Sequence, residues 1–236
     1  MFAPICKSLG MTGRNVKIRE QLLGGSALKM LRQAGLCLGL LMAAPAQALG
    51  PVDGEVGLTV WGVGDYSNSS FNTPLLGAYG ELWLNERWGL RGSLYRINEE
   101  TVSQASDEQT FIDLKYRLLS ASSNTFLALG LGWDYERFGG EGSLSAPRLM
   151  AEGRLDPLGF LRPYVEAGWT PSLGDLGARR DLSTVAVEVG LVLDPFPFVD
   201  LRLAWRYHIT EYVGTVTGSK ASESHYGVLV GAGFHW

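Results

Sequence analysis

TFIDLKYRL, residues 110–118, places Thr110, Ile112, Leu114, Tyr116 and Leu118 on one face of an extended chain and Phe111, Asp113, Lys115 and Arg117 on the other. One face is apolar and the opposite face is mostly charged. Successive side chains of a strand point to opposite sides, so a period of two separates them cleanly, whereas a helical period would scatter both sets. The segment therefore predicts a β-strand between two unlike environments.

Working outward, the same split recurs. From Asp200 to Thr210, Leu201, Leu203, Trp205, Tyr207 and Ile209 alternate with Asp200, Arg202, Ala204, Arg206, His208 and Thr210. From Thr184 to Leu193, Val185, Val187, Val189, Leu191 and Leu193 share a face opposite Thr184, Ala186, Glu188, Gly190 and Val192. Further strands are predicted over Glu55 to Tyr66, Leu75 to Leu84, Trp88 to Ile97, Thr125 to Tyr135, Arg148 to Leu155, Arg162 to Thr170 and His225 to Trp236. That makes ten, or eight if one pair is loop. Connections alternate in length. Asn85-Glu86-Arg87, Ser120 to Asn124, Asp156 to Phe160 and Asp194 to Phe198 are short. Ser67 to Pro74, Asn98 to Glu108, Glu136 to Pro147, Pro171 to Ser183 and Glu211 to Ser224 are longer and rich in Gly, Ser, Asn or acids.

Periodicity alone leaves open which face is inside. Strands of about ten residues suit a bilayer crossing at a tilt of about 45°, while strands of soluble domains average about five or six. Aromatic residues gather at strand ends: Trp83, Trp88, Tyr116, Phe126, Phe196, Phe198 and Trp236 beside the short turns, and Tyr66, Tyr95, Trp133, Tyr135, Trp169, Trp205, Tyr207 and Tyr226 toward the long loops. Two girdles of this kind, short turns at one end and longer loops at the other match membrane barrels. The expected fold is all-β: an antiparallel up-and-down transmembrane β-barrel in the bacterial outer membrane, its apolar face toward lipid.

The chain start agrees with export. Met30, Leu31 and Arg32 lead into an apolar stretch from Ala34 to Ala44 and then Ala46-Gln47-Ala48, the order of a signal peptide, so residues 1–48 are expected to be removed and 49–236 to form the barrel. Met30 is the simpler start, because the stretch before it is long for such a signal. Cys6 and Cys37 both fall in the removed part, which leaves no thiol for a disulfide or a metal. The removed part also takes six of the 20 basic residues and one of the 24 acids, so the mature chain carries a net charge of about −9. Nucleic acid is excluded as a partner on that balance, since phosphate binding needs a basic surface.

At the other end Tyr226, Val228, Val230, Ala232, Phe234 and Trp236 lie on one face with nothing after the aromatic. This ending resembles the C-terminal signal through which outer-membrane barrels are recognised by the barrel-assembly machinery. The mature chain resembles small outer-membrane barrels of the OmpA/OmpX type, although their transmembrane part has eight strands. A narrower resemblance, to the YfaZ family of outer-membrane proteins, rests on Pro163-Tyr164-Val165-Glu166, Trp169-Thr170-Pro171, Val189-Gly190 and Leu201 to Tyr207. It covers about the last 75 residues and implies no catalytic residues.

The chemistry lies on the face expected inside: Glu55, Glu81, Arg91, Asp113, Lys115, Arg117, Arg148, Glu152, Arg154, Arg162, Glu166, Glu188, Asp200, Arg202 and Arg206. With both signs near balance, these residues would form an ion-pair network filling the lumen, because buried charges must be paired. The alternative is a solute pathway lined by charge, although open porins use about 16 strands. A catalytic alternative places His208 and Thr210 on one face, with Glu211 next and Asp134, Glu136 and His225 at the same height. His208-Ile209-Thr210 loosely resembles the His-x-Ser arrangement of a lipid A deacylase, with Thr at the nucleophile. No cofactor or metal motif is present. The function expected is a non-catalytic integral barrel in contact with outer-membrane lipid and lipopolysaccharide, structural or passing small solutes. The alternatives are a lipid A-modifying enzyme, or adhesion through loops such as Glu99 to Glu108 and Glu211 to Ser224.

Overall fold

Each alternating segment becomes a strand, and each strand pairs with its neighbours in the chain. The computed structural model describes residues 52–65, 68–97, 106–138 and 141–236. The signal peptide expected over 1–48, with Cys6, Cys37 and Met30, lies outside the described residues, as do Tyr66 and most of the loop from Asn98 to Glu108. The elements are β1 (Val52–Asp65), β2 (Asn68–Leu84), β3 (Trp88–Ile97), β4 (Ser106–Ser122), β5 (Thr125–Phe138), β6 (Gly142–Arg154), β7 (Leu161–Leu176), β8 (Arg179–Phe196), β9 (Val199–Gly214) and β10 (Lys220–His235). All pairings are antiparallel, and β1 pairs with β10 to close a barrel of ten strands. The eight-strand alternative is thereby set aside.

The two faces differ as the alternation demands. Outside, Leu58, Leu90, Ile112, Leu129, Leu131, Val189, Leu203 and Val230 are exposed; inside, Glu81, Arg91, Asp113, Lys115, Glu152, Arg202 and Arg206 are buried. A barrel in water arranges its residues the other way round. This is the residue distribution of a transmembrane barrel. Both described ends of the barrel domain, Val52 and Trp236, lie at the end that carries the short turns. There Gly54 and Trp236 exchange backbone hydrogen bonds of 3.2 and 3.0 Å.

Two expectations need correction. The long connections are mostly strand: β5 runs to Phe138 and β6 starts at Gly142, β7 and β8 extend to Leu176 and from Arg179, and β9 and β10 to Gly214 and from Lys220. Their polar residues read as loop, yet a paired hairpin satisfies the backbone whatever the side chains are, as Lys220 opposite Val213 and Leu176 opposite Arg179 show. Second, Trp83, Tyr95 and Phe126 point into the lumen, all at most 5% exposed. They share the phase of Glu81, Arg91 and Ala128, and that phase, not their place near a strand end, sets their direction. Trp88, Tyr116, Trp133, Trp169, Trp205 and Tyr226 remain on the outside.

Candidate functional site

Ten charged side chains form one connected network across the lumen. Arg206 lies 3.0 Å from Glu188, which reaches Arg202 at 3.7 Å; Arg202 reaches Glu55 at 2.9 Å, and Glu55 reaches Arg154 at 3.1 Å. Arg154 continues to Glu152 at 3.0 Å and Glu81 at 3.7 Å, both of which Lys115 contacts at 2.5 and 2.9 Å. Arg91 approaches Glu81 and Glu152 at 3.6 and 4.0 Å and ends the chain on Glu166 at 2.6 Å. These side chains are no more than 7% exposed. Strands β5 and β10 supply Ala128, Gly130, Gly227 and Gly231 at this level, and these small residues leave room for the long side chains to meet.

Aromatic rings sandwich the guanidinium groups. Arg202 lies over Tyr79 at 4.1 Å and Tyr164 at 5.0 Å, and Arg206 over Tyr95 at 4.1 Å. Their hydroxyls continue the network: Tyr164 donates to Glu188 at 2.6 Å and Tyr79 to Asp200 at 3.0 Å. The remaining inward charges pair locally, Arg148 with Asp113 at 3.2 Å and Arg162 with Asp194 at 2.5 Å. Arg117 differs. It donates to the backbone carbonyls of Glu86 (3.2 Å) and Ser123 (2.9 Å) and stacks 3.7 Å from the Trp83 ring, tying the β2–β3 turn to the β4–β5 turn. Beside it a cavity of about 180 Å³ opens at the short-turn end, bounded by Trp236.

Toward the far end Trp61, Leu75, Tyr95, Phe111 and Leu229 pack as an apolar layer. Beyond them lies a second polar layer. His208 Nε2 is 2.9 Å from Glu136, Gln109 Nε2 is 3.3 Å from His208 Nδ1, and Thr170 and Thr184 donate to Asp134 at 2.6 and 3.0 Å. Above this layer Phe138, Ala146, Leu173 and Leu182 form an apolar cap, with Leu144, Leu176 and Tyr212 against it.

The catalytic constellation expected around His208 is assembled in part: Glu136 lies 2.9 Å from its Nε2 and the His225 ring stacks on it at 6.5 Å, with Asp134 buried in the same layer. His208 and Thr210 face inward and are buried, but Glu211 is exposed on the outside of β9. Residues 210 and 211 fall on opposite faces of a strand, so adjacency in sequence separates them in space. Both ring nitrogens of His208 are engaged, Nδ1 by Gln109 and Nε2 by Glu136. Among the described residues no group of His, Cys, Asp and Glu is arranged to hold a metal ion. The cross-strand partners of this layer, Gln109, Thr170 and Thr184, were missed in the sequence, since only register shows which residues of different strands meet.

No family model matches the chain, and no curated protein does. Solved structures similar to it are β-barrels. The outer membrane protease OmpT of Escherichia coli overlaps 79% of this chain and 94% of its own, with a TM-score of 0.43 and 10% identity. Neisserial surface protein A overlaps 78% and 97%, with a TM-score of 0.31 and 14% identity. Ail, the attachment invasion locus protein of Yersinia pestis, overlaps 78% and 97%, with a TM-score of 0.29 and 16% identity. At these identities no residue role passes from those proteins to this one.

Proposed function

We propose that this chain is an integral protein of the bacterial outer membrane that acts structurally, its lumen held shut, and neither conducts solutes freely nor catalyses a reaction. The observation that carries the reading is the connected network of Arg91, Lys115, Arg154, Arg202 and Arg206 with Glu55, Glu81, Glu152, Glu166 and Glu188, whose members are desolvated and bonded to one another. A solute crossing the barrel would have to break several buried pairs at once, and separating one leaves an uncompensated charge worth about 3–5 kcal/mol. The apolar cap and the layer around Trp61 add two further closures. The apolar outer face would contact outer-membrane lipid and lipopolysaccharide, and the strand ending in the exposed Trp236 would present itself to the barrel-assembly machinery.

The test is single-channel recording of the chain refolded into planar bilayers, beside Arg202→Ala and Arg206→Ala variants. The wild type is expected to be silent. Stable ohmic steps in the wild type, altered in amplitude by either substitution, would overturn the closed-lumen reading in favour of a charge-lined pathway.

A further inference from the structure

The four turns at the short-turn end are not alike. The β2–β3 turn exposes Asn85, Glu86 and Arg87, and the β4–β5 turn exposes Ser120, Ser122 and Ser123. The β6–β7 turn exposes Leu158 and Phe160 at 59% and 56%, and the β8–β9 turn exposes Phe196 and Phe198 at 68% and 62%. The last two turns are neighbours, joined by a 2.9 Å hydrogen bond from the Asp194 amide to the Phe160 carbonyl.

The two turn carboxylates already have partners within the protein. Asp156 spends Oδ1 on the Gly159 amide at 2.7 Å and Oδ2 on Asn124 at 3.3 Å, and Asp194 is paired with Arg162. Pro157, Pro195 and Pro197 have no backbone donor to leave unsatisfied. Phe198 is held at a φ of 71°, a left-handed conformation that aromatic residues rarely adopt. On β8 the outward column Val185, Val187, Val189, Leu191 and Leu193 is followed, across a register shift, by the exposed Phe196, whereas the outward column of β3 runs from Trp88 to Arg96 and is preceded by the exposed turn residue Arg87. An apolar groove of about 850 Å³, walled by Leu127, Leu155, Val165, Leu191 and Leu203, lies in the same sector.

We infer that the β6–β7 and β8–β9 turns lie within the lipid interface, so that the barrel is seated deeper on that side at its short-turn end. The occupant is the acyl and headgroup boundary of a phospholipid leaflet, continuous with the lipid met by the outer wall. Fixed water at these tips would leave Leu158, Phe160 and Phe198 solvated at the turns themselves, whereas the other two turns carry only polar residues and Ala121 at their tips. The inference rests on the membrane reading proposed above, and the experiment separates the two.

The chain, with Cys6→Ser and Cys37→Ser, receives one nitroxide-labelled cysteine at a time, as Phe160→Cys, Phe198→Cys, Glu86→Cys, Ser123→Cys or Leu131→Cys, and is reconstituted in phosphatidylcholine vesicles. Collision with lipid-soluble oxygen is compared with collision with a water-soluble nickel chelate. Positions 160 and 198 are expected to group with 131, with an oxygen-to-nickel ratio severalfold above that of 86 and 123. If 160 and 198 group with 86 and 123 while 131 stays oxygen-rich, the seating inference is overturned and the membrane reading stands. Free nickel access at 131 overturns both. Leu158→Cys and Phe196→Cys supply the same comparison should the first pair fail to fold.

Discussion

Lys115 shows how much one side chain carries in this lumen. It reaches Glu152 at 2.5 Å and Glu81 at 2.9 Å while fully buried, so Lys115→Met leaves two desolvated carboxylates short of a cation. The expected loss is about 3–5 kcal/mol, read from urea unfolding of the lipid-reconstituted protein. Gly132 is constrained from the other direction. A Cβ there would stand 2.0 Å from Asp113 Oδ1 and 2.5 Å from the backbone oxygen of Ile112, and the backbone cannot step aside as a flexible side chain can. Gly132→Ala should therefore cost about 1–3 kcal/mol in the same assay. Direction was legible at this scale, because phase alone sends Lys115, Arg202 and His208 inward and Leu114, Leu203 and Glu211 outward. Partnership was not: nothing in the sequence joins Glu55 to Arg154, which meet only through the register of the barrel.

Strands were readable as elements, but their ends at the far side were not. The turn Asn85-Glu86-Arg87 stands where it was expected because Asn85, at a φ of 54°, accepts hydrogen bonds from the amides of Arg87 and Trp88, a local signal. At the far end the hairpins continue past the outer apolar belt, where apolar residues such as Phe138, Leu173 and Leu182 turn inward instead, so the alternation that marks the belt is lost although pairing is not. Arg179 fastens these extensions together: its guanidinium lies 3.6 Å from Glu141 and 3.5 Å from Glu223 and sits over the rings of Phe138 and Tyr212. Glu141 is well exposed, so its pair with Arg179 contributes at most about 1 kcal/mol, and the more buried pair with Glu223 joins hairpin tips beyond the lumen network. Arg179→Ala is accordingly expected to leave global unfolding nearly unchanged while raising protease cleavage in the β7–β8 hairpin around Gly177. Unchanged cleavage would mean that backbone pairing alone keeps the hairpin closed.

For the molecule as a whole, the charges that matter are screened by protein and not by salt. Ion pairs in contact with solvent weaken over a Debye length of about 10 Å at 0.1 M and about 3 Å at 1 M, whereas water-excluded pairs respond much less. The urea midpoint of the reconstituted barrel should therefore barely move between low salt and 1 M sodium chloride, and a marked fall would mean that water reaches the network. The inside-out distribution of residues was visible in the sequence, since it needs only alternation and strand length; the closure of the lumen was not, since it depends on side chains from eight strands converging. Glu55 ties that closure to the barrel seam. It sits on β1 opposite His235, at the seam where the first strand of the barrel meets the last, and it is the carboxylate that Arg154 and Arg202 share. The strand ladder is therefore not the only thing that fastens the first strand to the rest of the wall: one carboxylate carried by β1 is gripped from β6, on the opposite side of the lumen, and from β9.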